Sequence, residues 1–94
     1  MIILNVYYTV NSGMRDEYLR VVAEAKIPEK SRAEAGNAKY DYYLSQSNPD
    51  EVLLVEHWKD DAGYQFHKEQ DYFEQLQNIK KKYVKQVHID STVL

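Results

Sequence analysis

The chain has 94 residues, a formal net charge of -3 and no cysteine. Its length suits one domain, residues 1–94, which folding alone would bury to only about 60% of the unfolded chain's surface, so a second copy would help it. The missing cysteine excludes disulfides, thiolate nucleophiles and cysteine-held zinc or iron–sulfur clusters, and the acidic balance sets nucleic acid aside as a partner. Its one dense basic run, Lys80 to Lys82, reads as a solvated helix face. "MIILNVYYTV" lacks a basic leader with a cleavage site, and no apolar run approaches the ~20 residues that cross a bilayer, so a cytoplasmic protein with no membrane partner is expected.

Residues 2–10 alternate, with Ile2, Leu4, Val6, Tyr8 and Val10 on one side and Ile3, Asn5, Tyr7 and Thr9 on the other, which predicts a first strand. Ser12 offers an N-cap, Asp16 and Glu17 suit the positive end of a helix, and Met14, Tyr18, Val21, Val22 and Ala25 form its apolar stripe. Pro28 kinks this helix or begins a second short one, and Gly36 stops it. "AKYDYYLS" and "EVLLVEHW" read as a hairpin joined through the turn chemistry of Asn48 and Pro49. Asp60 or Asp61 caps the next helix, which is interrupted near "KEQD" and resumes with Phe73, Leu76, Ile79 and Tyr83 at helical spacing. "QVHIDSTVL" closes the chain as a fourth strand.

The order βαββαβ predicts an α+β, ferredoxin-like domain with both helical segments on one face of an antiparallel sheet. Apolar groups also occupy the other sides of the strands, Ile3 and Tyr7 on the first, Leu53 and Val55 on the third. A second copy of the same sheet is the simplest cover, so a homodimer through the sheet faces is expected, with Asn5 at its seam.

"SRAEAGNAKYDYYLS" followed by "VEHWKDDAGYQFH" resembles the antibiotic biosynthesis monooxygenase family, at Glu34, Gly36, Asn37, Tyr40, Glu56, Trp58 and His67. The resemblance implies a dimeric α/β barrel, a pocket between sheet and helices, and, in several members, oxygenation of quinols or polycyclic phenols with no metal or flavin cofactor. The fold also serves a haem-degrading branch, an isomerase of a phosphorylated signalling sugar and members without known activity. The haem branch uses an Asn on the first strand and a Trp and a His in the second helical region, where this chain has Val6, His67 and Gln77, so haem degradation is not expected. A second His that many members carry is Tyr72 here.

Metal binding is not expected, because His57 and His67 lie on different elements with no third ligand in view. Cofactor-free oxygenation of a small aromatic substrate needs a base for the phenolic proton and a dry cleft around the electron-rich anion. His67 is the candidate base, an imidazole being the side chain that ordinarily titrates near neutrality, or else a helix-surface residue bonded to the backbone or to Glu56; Glu56 is the candidate partner that orients it, or else makes a structural hydrogen bond to the chain. Trp58, Tyr64, Phe66 and Tyr72 are expected to contact substrate, Trp58 and Phe66 being natural core residues as well, and Val6 and Tyr8 form the pocket floor. His57 and His88 read as structural or exposed. An isomerase of a small phosphorylated metabolite, with Arg32, Lys39 and Lys68 as its scattered cations, and a ligand-binding protein without turnover stay open as alternatives.

Overall fold

A computed structural model describes residues 1–94. In chain order it comprises β1 (Ile2–Val10), α1 (Arg15–Glu24), α2 (Ile27–Arg32), β2 (Asn37–Leu44), β3 (Glu51–Trp58), α3 (Asp61–Lys68), α4 (Asp71–Tyr83) and β4 (Val84–Val93). The strands form one antiparallel sheet in the order β2-β3-β1-β4. This is the α+β ferredoxin-like fold, with each helical segment divided in two.

The divisions follow from local chemistry. Lys26 adopts the left-handed conformation at φ 59, which ends α1, and Pro28 then sits in the first turn of α2, where a missing N–H costs nothing. Gln70 is extended (φ -79, ψ 147), breaking the backbone ladder between α3 and α4. Asp60 caps α3, its Oδ1 accepting from the Gly63 N–H at 2.8 Å.

Ser12 does not cap α1. The helix begins after Met14 with no side-chain cap, and its entry is tied instead to the turn between β2 and β3. Gly13, at φ 76, donates its N–H to Asp50 Oδ1 at 3.0 Å, and Arg15 Nη1 donates to the carbonyls of Ser45 and Asn48, each at 3.1 Å. A charge-assisted tie across the fold has displaced a local cap of lesser strength.

Period-two alternation turns Leu4, Val6, Tyr8, Val52, Leu54 and Trp58 toward the helices, where each is 7% exposed or less. With Tyr40 they form one core cluster; Tyr18, Val22, Ile27, Leu76 and Tyr83 belong to a second, which reaches the sheet through Val10. Burying one such side chain contributes about 1.5–3 kcal/mol, so these two clusters hold the sheet to its helices. On the opposite sheet face Ile3, Tyr7, Leu53 and Val55 remain partly exposed. The helices also leave β4 largely uncovered: Val87 and Ile89, paired with Tyr8 and Val6, are 46% and 55% exposed. No helix is long and apolar enough to cross a membrane.

Candidate active site

Where α3 and α4 lift away from the sheet they leave a pocket of about 220 Å³. Leu4, Val6 and Tyr8 of β1 form its floor, joined by Tyr40 of β2 and Glu56 of β3. Tyr64 and His67 of α3 and Phe73, Leu76, Gln77 and Lys80 of α4 wall it in. The exposed Val87 and Ile89 of β4 complete the lining and mark the mouth.

His67 lies on the inward side of α3 and is 2% exposed. Its ring packs on Trp58 with centroids 4.5 Å apart and meets the edge of Phe73 at 5.3 Å, which fixes its plane. Nδ1 lies 2.7 Å from Oε2 of Glu34, and the Tyr72 hydroxyl donates to the same oxygen at 2.5 Å. The other carboxylate oxygen, Oε1, is buried with no partner. A carboxylate can only accept, so Nδ1 carries the hydrogen of this bond and Nε2 is the ring nitrogen left over. Nε2 has no protein partner.

Glu56 is the carboxyl group of the pocket lining. Burial pushes its carboxyl up to about 7, against the Trp58 Nε1–H, which donates to Oε1 at 3.1 Å, and against Lys80, both of which favour the anion. Lys80 is half-buried, with Nζ 5.2 Å from the centroid of the Tyr8 ring. Burial lowers its ammonium below the ordinary lysine range, opposed by Glu56. Burial also raises the phenols of Tyr8, Tyr40 and Tyr64, which keeps them neutral. No group of three or more His, Asp or Glu side chains converges as a metal site would require.

His67, Glu56, Tyr64, Val6 and Tyr8 therefore meet around one space. Trp58 stands behind the wall, fully buried, where it supports His67 and Glu56 without reaching the pocket. Phe66 is 55% exposed and points away, because successive residues on a helix lie about 100° apart and His67 takes the inward direction. Tyr72 lies beyond His67 and reaches Glu34 rather than the pocket. Glu56 does not orient His67; Glu34 does.

Glu34 and Lys80 are absent from the set of candidates that the sequence offers. Glu34 stands in the "E-x-G" segment of the resemblance, but its meeting with His67 is a long-range contact that no local period encodes. Lys80 had a readable signal: it follows Leu76 by four and Phe73 by seven, which places it on the apolar stripe of α4 and separates it from the exposed Lys81 and Lys82.

The profile of the antibiotic biosynthesis monooxygenase family matches residues 1–79. Over 75 residues the chain is 37% identical to the protein named putative monooxygenase YcnE of Bacillus subtilis (strain 168), a match covering 79% of this chain and 76% of that one. Among solved structures it is similar to PA3566 from Pseudomonas aeruginosa, with 25% identity, a TM-score of 0.85, and coverage of 99% of this chain and 92% of that one. A structure described as antibiotic biosynthesis monooxygenase shares the fold, at 21% identity and a TM-score of 0.86, covering 100% of this chain and 98% of that one. The profile match runs from β1 into α4 and takes in Glu34, Glu56 and His67 of the site just described, and on that ground the chain belongs to the antibiotic biosynthesis monooxygenase family.

Proposed function

We propose that the protein is a monooxygenase that oxidises quinols or similar phenols with O2, needing neither metal nor flavin. The substrate ring lies on Val6 and Tyr8, and His67 Nε2 takes the phenolic proton, leaving an anion electron-rich enough to reduce oxygen directly. One oxygen atom enters the ring and the other leaves as water, so a quinol gains one oxygen, loses two hydrogens and becomes a hydroxyquinone. Apolar walls exclude water from the reduced-oxygen intermediate. The observation that carries this reading is the 2.7 Å bond from His67 Nδ1 to Glu34, which sets the ring with its free nitrogen on the wall of a largely apolar pocket. A homodimer, formed through the sheet face that carries Ile3, Tyr7, Leu53 and Val55, is part of the proposal.

The phosphorylated-metabolite alternative lacks a comparable support. Arg32 is committed to the Tyr40 carbonyl and Asp41, Lys39 lies over Tyr43, and Lys68 lies over Tyr64, so the three do not gather at the pocket. Oxygen consumption with a panel of quinols, in buffer freed of metal and flavin, tests the proposal: uptake matched by hydroxyquinone formation is expected. Uptake abolished by EDTA would overturn the cofactor-free chemistry, and saturable quinol binding with no uptake would make the protein a ligand-binding one.

A further inference from the structure

Lys80 is the one cationic side chain lining the pocket. It takes part in none of the protein's ion pairs, which join Arg20 to Glu24, Arg32 to Asp41, His67 to Glu34 and His88 to Asp90. Its only close aromatic neighbour is Tyr8, on the floor. A half-buried ammonium in no close ion pair, facing a pocket in which Glu56 is the one carboxyl that acts on it, is a site for an anion that arrives from outside while that carboxyl holds its proton.

Pocket size limits what that anion can be. A dry cavity of about 150 Å³ accepts one benzene ring, so a pocket of about 220 Å³ holds one ring fully, and a second only if it extends between Val87 and Ile89. We infer that Lys80 is the anion-binding residue of the pocket, and that its substrates are one- or two-ring phenols whose ionised oxygen rests against the Lys80 ammonium. The inference rests on the proposed monooxygenase reading and narrows its substrate class, excluding larger polycyclic phenols. In the proton step the phenolic O–H breaks, the proton passes to His67 Nε2, and the charge left on oxygen faces Nζ of Lys80. Lys80 lies just past the span matched by the family profile, so the charge preference is read from this chain's own α4.

The charged and titratable groups around Lys80 set the conditions of a test. Tyr8 of β1, Tyr40 of β2 and Tyr64 of α3 are held neutral by burial, and His67 is engaged by Glu34 behind it. Glu56 of β3 is the group whose charge would oppose a bound anion; since its carboxyl titrates at about 7, it is mostly protonated slightly below that pH.

Calorimetric titration at about pH 6.5 with pentafluorophenol, ionised there, and pentafluoroanisole, its methyl ether, isolates the charge preference from any oxidation, because neither probe is a quinol. Wild-type protein is expected to bind the phenolate at least about tenfold more tightly than the ether. Lys80→Met should weaken phenolate binding by about 10- to 100-fold and leave the ether within about twofold, while Lys80→Arg retains the preference. Lys80→Gln serves the same purpose if the Met variant does not fold, as judged by circular dichroism. Wild-type protein that binds both probes alike, or does not bind the phenolate, would overturn the inference, as would equal weakening of both probes in the variants. A charge preference lost with Lys80, in a protein that consumes no oxygen with any quinol, would sustain the anion site while removing the monooxygenase reading. Oxygen consumption without a charge preference would do the reverse.

Discussion

Glu34 and His67, 33 residues apart, meet through a 2.7 Å bond that is almost wholly buried, the side chains being 4% and 2% exposed. The carboxylate accepts from Nδ1 and so, in the proposed reaction, determines which ring nitrogen is left to act as a base. Glu34→Gln should preserve the fold but remove this determination, because an amide can rotate its NH2 toward Nδ1 and hold the ring in the tautomer that carries its hydrogen on Nε2. We expect kcat with a quinol to fall by about 10² to 10⁴, with a much smaller effect on substrate binding. Steady-state kinetics beside a thermal melt checks this; a variant that unfolds early and loses activity only in proportion would assign Glu34 a structural role.

Glu56 makes stability depend on pH. Its carboxyl titrates at about 7 in the folded protein, against an ordinary value of 4.5, so between those pH values the folded chain holds a proton that the unfolded chain has released. Stability is therefore fully present below that window, declines as pH rises through it, and levels off above. The decline attributable to Glu56 is about 3 kcal/mol at most. Urea midpoints at about pH 5 and pH 8 measure it, and Glu56→Gln, which keeps an acceptor for the Trp58 N–H, should flatten the dependence and raise the midpoint at the higher pH. A variant with the wild-type slope would place the titration elsewhere.

The start of α3 is locked to the start of β2 by two glycines. A Cβ on Gly36 would lie 2.7 Å from the Gly63 Cα, a backbone atom that cannot swing aside, and the Gly36 carbonyl accepts from the Lys59 N–H at 2.9 Å in the same corner. Gly36→Ala should cost about 1–3 kcal/mol, lowering Tm by about 5 to 20 °C, and should shift α3 and with it His67. An unchanged Tm would show that the corner opens freely.

For the proposed homodimer, light scattering at micromolar concentration should give twice the 11.1 kDa chain mass. Val55→Asp would place an unpaired carboxylate in the seam and should yield monomer or unfolded chain. A wild-type monomer would leave the apolar groups on that face without the cover we assign them.

The fold was largely legible in the sequence, because its signals are local. Period-two strands, helical stripes, Pro28 in a first turn and Asp60 as a cap each state their element without reference to the rest of the chain. The cap at Ser12 failed because Arg15 and Gly13 found partners in the turn between β2 and β3, a contact made only after folding. The site was legible in part for the same reason. Val6, Tyr8 and Glu56 follow from strand alternation and His67 from the family resemblance, whereas Phe66 was misplaced by one helical step. The pairing of His67 with Glu34 depends on how α2, α3 and the loop before β2 pack together, which no local pattern records. Lys80 was concealed by its neighbours: within "KKK" three adjacent lysines look alike, and only the stripe of α4 tells the inward one from the other two.

In the proposed reaction His67 is the base for an oxygenation within this pocket. Its most direct test is oxygen uptake by wild-type protein and by His67→Ala on the same one-ring quinol, with dimer mass and Tm measured on both. Uptake and hydroxyquinone formation by the wild type are expected, with a loss of about 10² to 10⁴ in kcat for a variant that remains folded. Equal turnover by the two proteins on a quinol that the wild type oxidises would contradict this and remove His67 from the chemistry.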